Sequence, residues 1–219
     1  MQKVKIYVAV PLLLVAAVLL FFQFSPPMPQ VEARPHEAIG AVLAEEAMRL
    51  AGSGGRITLI APDPAVFRYP GAEVQLAAFH KALRTAKVTL AATNLIKLDP
   101  LRPPRVPPGD FAEILRKLSD ADVIVSLMGP PLLTAEHKKR LGEKRPRVLA
   151  VCSGDLPLQV DLKELFADNL LHTAIVSRFS PGRTPPDNGS AQDWFAHYYQ
   201  VITAKNVSEL PAVSVSTSR

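Results

Sequence analysis

The sequence predicts an α/β domain with a doubly wound, mostly parallel five-stranded sheet behind an N-terminal transmembrane helix. Short apolar segments alternate along the chain with amphipathic segments of helical period, which predicts the α/β class. An apolar run of 19 residues near the N-terminus predicts the membrane helix.

The predicted strands lack the alternation of apolar and polar residues that a half-exposed strand shows. Continuously apolar strands are buried on both faces, as in a parallel sheet covered by helices. Right-handed connections through those helices then favour the strand order 2-1-3-4-5. The five predicted strands are residues 57–61, 88–93, 123–128, 148–152 and 173–176, and residues 200–203 are a candidate edge strand.

Apolar residues spaced three and four apart predict the helices. In the first helix, Ile39, Val42, Leu43 and Ala47 lie on one face. Most of the later helices begin at a residue whose side chain can accept a hydrogen bond from a main-chain N–H of the first turn. The later predicted helices begin near Pro70, Asp110, Thr134, Asp161 and Ser190, and the last four of these residues are predicted N-caps.

Composition divides the chain into four predicted segments. Residues 1–24 form a transmembrane signal-anchor and residues 25–33 a proline-rich linker. The α/β domain covers residues 34–205, and residues 206–219 form a flexible tail.

The apolar run, residues 6–24, is long enough to cross a membrane, because 19 residues at about 1.5 Å each approach the thickness of the hydrocarbon core. Lys3 and Lys5 precede it, so the positive-inside rule predicts a short cytoplasmic N-terminus. The domain would then lie outside the cytoplasm, in the periplasm or at the cell surface. The alternative is a signal peptide cleaved after Ala33, but the length of the run favours an uncleaved anchor.

Charge and cysteine content exclude several classes of function. The formal net charge of +5 includes Lys3 and Lys5, and the remaining excess is too small to indicate a nucleic-acid-binding surface. The single cysteine, Cys152, excludes an internal disulfide and a multi-cysteine zinc site. Neither a metal site nor a cofactor is predicted.

Two classes that share parts of this pattern are also excluded. The glycine cluster at residues 52–55 follows a helix and precedes a strand, which is the reverse of a phosphate-binding loop. A phospho-acceptor receiver shares the predicted strand order, but it needs an aspartate at the end of the third strand. Met128 and Gly129 stand there instead.

A membrane-anchored hydrolase is the enzymatic alternative. Ser153 follows the fourth predicted strand, and His172 and Asp155 supply the other residue types of a catalytic triad. A nucleophile elbow has glycine two residues before its serine, and Val151 occupies that position. A non-catalytic role is therefore preferred.

The predicted ligand site lies where the parallel strands end, because ligands of open α/β sheets bind there, at the reversal of strand order. Short polar side chains at this edge suit a polar small molecule, although the same residue types also serve as ordinary loop caps. Arg178 is the strongest candidate, since a guanidinium can hold a carboxylate or phosphate by two parallel hydrogen bonds. The candidate ligand-binding residues are Asp63, Thr93, Asn94, Gly129, Ser153, Ser177 and Arg178.

Three further features have both a structural and a functional interpretation. The proline-rich connection 99–109 is predicted to be a rigid crossover rather than a polyproline II ligand. Lys138, Lys139 and Arg140 end a helix, where positive charge is favourable, and this explanation is preferred over a partner site. The aromatic cluster at residues 194–199 is predicted to dock the last helix on the sheet, with a carbohydrate or partner platform as the alternative.

Three segments carry a resemblance to a known family: the strand Ile57-Thr58-Leu59-Ile60-Ala61, the helix from Gly71 through Phe79 and Leu83, and Ala121-Asp122-Val123-Ile124-Val125-Ser126. The first two are similar to the opening strand and helix of one lobe of a type 1 periplasmic binding protein, and the third is similar to the third strand of that lobe. The resemblance covers residues 56–178. Such binders have two lobes, so the resemblance implies a half-sized solute-binding module that pairs with another lobe or with a transporter.

The sequence thus predicts a membrane-anchored, extracytoplasmic α/β domain with a non-catalytic binding or envelope-assembly role. The predicted partners are the membrane, through the N-terminal helix, and either a polar small molecule or another envelope protein. The alternative remains a membrane-anchored hydrolase that uses Ser153.

Overall fold

The computed structural model describes residues 31–66, 68–98, 105–180, 184, 186 and 188–211. The chain divides after Val31, and its described helices and strands belong to the unit that begins at Glu32. In chain order they are α1 (Ala33–Ala51), β1 (Ile57–Pro62), α2 (Pro70–Thr85), β2 (Leu90–Ile96), α3 (Pro108–Arg116), β3 (Val123–Ser126), α4 (Ala135–Arg140), β4 (Arg147–Cys152), α5 (Leu156–Gln159), α6 (Leu162–Ala167), β5 (Thr173–Ser177), α7 (Ala191–Tyr198), β6 (Tyr199–Ile202) and a 3-10 helix (Val207–Glu209).

The strands form one mostly parallel sheet of order β2-β1-β3-β4-β5-β6, which confirms the predicted α/β class. The order differs from the predicted five-stranded order by β6, the candidate edge strand, which pairs antiparallel with β5. The N–H of Arg178 donates to the carbonyl oxygen of Tyr198 at 2.8 Å, so α7 ends beside the end of β5. Because β6 follows α7 directly, it starts at that edge and must run back against β5.

Helices cover the sheet on both faces. One apolar layer contains the buried faces of α1, α2 and α7. The other contains those of α3 and α6, with Phe111 and Phe166 among its larger side chains. Cys152 is fully buried in this second layer, and burial raises the pKa of its thiol, as expected of a small core residue.

Three of the four predicted N-caps are confirmed. The side chains of Thr134, Asp161 and Ser190 each accept a hydrogen bond from the main-chain N–H three residues on. Asp110 is not an N-cap, because α3 begins two residues earlier, at Pro108. The fixed φ of proline suits the first position of a helix, where no N–H is needed, and Asp110 lies in the first turn instead.

Helices α1 and α2 approach closely at Gly40. A Cβ added to Gly40 would stand 2.3 Å from the carbonyl oxygen of Gln75 and 2.9 Å from the nitrogen of Phe79, both on α2. One turn earlier on α1, Nδ1 of His36 lies 3.1 Å from Nε2 of the buried Gln75. Burial lowers the pKa of His36, which keeps its ring neutral in this contact. Because Gly40 has no side chain, the two helices can approach this closely.

Asp122 joins the beginning of β3 to the beginning of β1. Its Oδ1 accepts hydrogen bonds from N and Nε of Arg56 at 3.0 and 3.1 Å, and its Oδ2 accepts from Nη2 of Arg56 at 2.7 Å. The N–H of Ser119 donates to the same Oδ2 at 2.8 Å. These hydrogen bonds, led by those from the Arg56 side chain, hold the pKa of Asp122 well below its usual range.

Helix α7 docks through its aromatic residues, as predicted. Trp194 and Phe195 are buried, and Tyr198 and Tyr199 pack against the same layer. The Trp194 and Tyr198 rings stack at 5.9 Å between centroids, and the guanidinium carbon of Arg34 lies 5.5 Å from the centre of the Trp194 ring. These rings therefore take part in the packing of α7 against the sheet.

The basic run at the end of α4 and the predicted tail both make contacts with α6. Nζ of Lys138 donates to Glu164 and to Asp168, each at 2.6 Å, and so links α4 to α6. The 3-10 helix and the buried side chain of Leu210 lie inside the predicted tail, because Leu210 joins the apolar layer of α6. Residues 212–219 of that tail lie outside the described residues.

The predicted transmembrane helix, residues 1–24, and residues 25–30 of the predicted linker lie outside the described part of the chain. Within the described part, no helix has both the length and the apolar character needed to span a membrane. Helix α1 begins at Ala33, the last residue of the predicted linker.

Candidate functional site

A cleft of about 220 Å³ opens at the carboxyl edge of the sheet, the edge at which the parallel strands end. The cleft lies beyond the ends of β1, β3 and β4. The strand order reverses between two of these strands, the neighbours β1 and β3. This is the position that the general rule for open α/β sheets gives to a ligand. The lining residues are Pro62, Tyr69, Ala72, Arg105, Leu127, Met128, Val151, Ser153, Asp155, Leu156 and Gln159.

The turn after β3 forms one wall of this cleft. Oγ of Ser126 donates to the carbonyl oxygen of Gly129 at 2.6 Å and accepts from the N–H of Met128 at 3.2 Å. Gly129 has a φ of +78°, and a Cβ there would stand 2.4 Å from Cδ2 of Leu156. Gly129 therefore permits the turn and the close approach of α5, while Met128 and Leu156 line the cleft.

The loop after β4 supplies Ser153, the predicted site residue that lines the cleft. The N–H of the next residue, Gly154, donates to Oγ of Ser177 at 3.0 Å. Ser177 is the last residue of β5, so its hydroxyl holds the β4 loop in place from the neighbouring strand. Ser177 thus supports the cleft wall without lining it.

Arg105 and Asp155 are the charged residues that line the cleft. Nη2 of Arg105 donates to Oε1 of Gln159 on α5. Nε of Arg105 is buried and has no hydrogen-bond partner within the described residues. A buried donor without a partner costs about 1–3 kcal/mol, which an acceptor group supplied by a ligand could offset.

Three predicted site residues take other positions. Thr93 and Asn94 lie within β2 instead of after it, because β2 stays in register with β1 as far as Ile96. Nδ2 of Asn94 lies 3.4 Å from the carbonyl oxygen of Leu59 in β1. Asp63 does follow β1, but its Oδ1 accepts from the N–H of Ala65 at 3.0 Å and so closes its own turn.

Arg178 lies at the carboxyl edge, as predicted, but its guanidinium is held where α7 ends and β6 begins. Its Nε donates to the carbonyl oxygens of Ala196 and Tyr199, at 2.7 and 3.2 Å. Strands β3 and β4 lie between β1 and β5, so about 14 Å separates the ends of β1 and β5. Asp63 and Arg178 therefore do not converge on one crevice, and Arg178 completes the C-terminus of α7 instead.

The structure also separates the residues of the hydrolase alternative. His172 precedes β5 at the opposite edge of the sheet, where its Nδ1 accepts from the N–H of Val148 at 3.2 Å. Ser153 lies at the other end of β4, about 16 Å further along the strand. An N–H can only donate, so Nδ1 of His172 is unprotonated in this contact, and burial lowers the pKa of the ring. His172 cannot serve Ser153 as a base.

Tyr69, Arg105 and Gln159 line the cleft although no pattern in the sequence marked them as residues of the site. Arg105 belongs to the connection between β2 and α3, which leaves the sheet at the carboxyl edge. A basic residue in such a connection is a candidate under the same rule that selected the strand ends. Gln159 lies in a helix of four residues, too short to show a helical period in the sequence.

The lining residues suit a ligand that both donates and accepts hydrogen bonds. The Arg105 guanidinium donates, the Asp155 carboxylate accepts, and the Ser153 hydroxyl does both. Leu127, Met128, Val151 and Leu156 provide apolar walls beside them. Among the described residues, no group of three His, Cys, Asp or Glu side chains is placed to hold a metal ion.

The fold is similar to that of several solved structures at low sequence identity. A protein from Bacteroides fragilis described as a LacI transcriptional regulator aligns with a TM-score of 0.53 and 10% identity, over 80% of this chain and 62% of its own. A solute-binding protein of an ABC transporter from Burkholderia graminis, in complex with D-arabinose, aligns with a TM-score of 0.49 and 16% identity. This alignment covers 80% of this chain and 62% of the other protein. A carbohydrate transporter solute-binding protein from Agrobacterium radiobacter, also in complex with D-arabinose, aligns with a TM-score of 0.48 and 12% identity. This alignment covers 82% of this chain and 61% of the other protein.

The predicted resemblance to one lobe of a type 1 periplasmic binding protein is confirmed at the level of the fold by the alignment with a TM-score of 0.53. The chain spans less than two thirds of each of these three proteins. No protein-family model and no curated protein matches the sequence.

Proposed function

We propose that this chain is a solute-binding module whose cleft holds a small polar molecule without transforming it. The observation that carries this proposal is the Nε of Arg105, buried beside the cleft and lacking a hydrogen-bond partner within the described residues. The cleft lies at the reversal of strand order, in a fold shared with solute-binding proteins, and this position agrees with such a role.

The size and chemistry of the cleft restrict its ligand. A volume of about 220 Å³ is below the range of drug-sized pockets and suits a compact molecule. Arg105 requires an acceptor such as a hydroxyl, carboxylate or phosphate oxygen, and the exposed Asp155 carboxylate favours a hydroxyl or amine donor. A polyhydroxylated molecule, with or without an acidic group, meets both requirements, and apolar ring faces would contact Met128 and Leu156.

A binding screen on the full chain in detergent micelles tests this proposal. We expect one class among monosaccharides, sugar acids, amino acids and nucleosides to raise the melting temperature. For that class, Arg105→Ala should weaken binding by about 10- to 100-fold, the range of one charge-assisted hydrogen bond. Isothermal titration calorimetry measures the change.

Arg140→Ala is the matched control, because it removes an exposed arginine outside the cleft whose partner is Glu136. Its affinity for the same compound should equal that of the wild type. Equal affinity of Arg105→Ala and the wild type would place the binding site elsewhere, and a screen without any stabilising compound would count against a solute-binding role.

The proposed function includes an extracytoplasmic location. Lys3 and Lys5 before the apolar run support a signal-anchor with its N-terminus in the cytoplasm. A reporter enzyme that is active only after export, fused after Arg219, should therefore be active in cells. Replacing residues 6–24 by a polar linker should abolish that activity, and activity of a cytoplasmic reporter at the same position would contradict the proposal. An intact N-terminus in the membrane-extracted protein would distinguish the anchor from a cleaved signal peptide.

A further inference from the structure

Strand β2 forms an exposed edge of the sheet. It pairs with β1 on one side, and no strand lies on its other side among the described residues. Ala91, Ala92 and Thr93 are exposed, and Leu95 is 50% exposed. In a doubly wound fold most strands are covered on both faces, so this strand is unusually open to solvent.

The register with β1 shows which main-chain groups of β2 point outward. The carbonyl oxygen of Ile96 accepts from the N–H of Asp63, directly after β1, at 2.9 Å, so the groups of Ile96 face β1. In a parallel pair the N–H and C=O of one residue face the same neighbour, and adjacent residues face opposite ways. The N–H and C=O of Thr93 and Leu95 therefore point away from β1.

Natural proteins usually protect such an edge with charged residues, proline or a bulge. The segment from Leu90 to Ile96 contains no charged residue and no proline. The register with β1 shifts once, at Ala91, and the remaining residues, Ala92 through Ile96, are regularly paired. This regular part of β2 is a neutral strand that can accept another strand.

We propose that β2 pairs antiparallel with β2 of a second copy of this chain, across a two-fold axis at Asn94. In this register Thr93 of each copy lies opposite Leu95 of the other, and the two residues exchange both main-chain hydrogen bonds. The outward N–H and C=O groups of Thr93 and Leu95 in each copy are thus all hydrogen-bonded to the other copy. The contact is closed by symmetry, so it yields a dimer and not a filament.

The side chains and charges favour a second copy as the occupant. Leu95, half exposed in one copy, is covered by the methyl group of Thr93 from the other. Lys97, the nearest charged residue after β2, faces Ala91 of the second copy, so the pairing brings no like charges together. Because the paired segment is short, the dimer is weak and depends on concentration.

Disulfide trapping of the full chain tests the pairing directly. Asn94→Cys places two thiols across the axis, where opposed Cα atoms are about 4.5 Å apart, within the range of a disulfide. The native Cys152 is fully buried and does not compete. Under mild oxidation we expect disulfide-linked dimers to form at least about ten times faster than with Glu143→Cys, an exposed control position outside the sheet.

A second pair of variants separates pairing from folding. Leu95→Pro in the Asn94→Cys background removes an outward N–H that makes no bond to β1, so the melting temperature should change little while trapping slows about tenfold. Leu95→Ala keeps the N–H and should trap nearly as fast as Asn94→Cys alone.

Two outcomes would overturn the proposal. One is equal trapping of the Asn94→Cys and Glu143→Cys variants. The other is a protein that sediments as a monomer up to about millimolar concentration while the amides of Thr93 and Leu95 are protected from hydrogen exchange. That result would mean that a segment of the same chain covers the edge of β2. Neither result depends on a ligand in the cleft, so this proposal and the proposed function fail independently.

Discussion

Replacing Gly40 with alanine is expected to lower the free energy of unfolding by about 1–2 kcal/mol. The new methyl group would stand 2.3 Å from the carbonyl oxygen of Gln75 and 2.7 Å from Cβ of Ala78, so α1 and α2 must separate. Overpacking of this kind costs about 1–3 kcal/mol and at times more. Alanine also gains about 1 kcal/mol of helix propensity over glycine, which offsets part of that cost. Urea denaturation followed by circular dichroism measures the difference.

Gly109→Ala is the matched control for this substitution. Gly109 also lies in a helix, α3, but nothing stands within 4 Å of the position of its added Cβ. The same change should therefore leave stability unaltered or raise it by up to about 1 kcal/mol. A Gly40→Ala protein as stable as the wild type would show that α1 and α2 can separate without loss of packing.

The parts of the fold that could be predicted from the sequence are those where local pattern and burial agree. Strands β1, β3, β4 and β5 are buried on both faces, and continuous apolar segments mark each of them. Strand β2 is mostly exposed, so its apolar pattern is weak and predicts the end of the strand three residues too early. That error moved Thr93 and Asn94 from the middle of a strand to its end.

The site could be predicted as an edge of the sheet but not as a set of residues. The crevice rule selects the carboxyl ends of the strands, and the cleft is there. Which side chains converge depends on contacts between distant elements that no local pattern records. Arg178 is held by carbonyl groups at the junction of α7 and β6 because β6 runs back against β5, and Arg105 lines the cleft through its contact with Gln159.

The alternatives for Ser153 show the same limit. The residue types of a triad are present in the sequence, but a hydrolase needs them at one edge of the sheet. His172 begins β5 and Ser153 ends β4, so parallel strands place them at opposite edges. The predicted boundaries of these two strands imply the same separation, because His172 precedes the fifth predicted strand and Ser153 follows the fourth.

Asp122→Ala is expected to lower the free energy of unfolding by about 3 kcal/mol at neutral pH. The carboxylate is 2% exposed, and its removal leaves the main-chain N–H groups of Arg56 and Ser119 without their acceptor. A hydrogen bond to a charged group contributes about 1.5–3 kcal/mol. Glu136→Ala, which breaks an exposed pair with Arg140, is the control and should change stability by less than about 1 kcal/mol.

The loss of stability caused by Asp122→Ala should also become smaller as the pH falls. The folded protein lowers the pKa of Asp122, so the unfolded chain takes up its proton first as the pH falls. The stabilisation is therefore complete above about pH 5, and it decreases as the pH falls through the unfolded value near 4 towards the lower folded value. The stability difference between wild type and Asp122→Ala should accordingly be larger at pH 7 than at pH 3, as measured by urea denaturation at both pH values. A difference that is the same at both would mean that the neutral carboxyl group makes the same contacts as the carboxylate, and that the Arg56 pair contributes nothing through its charge.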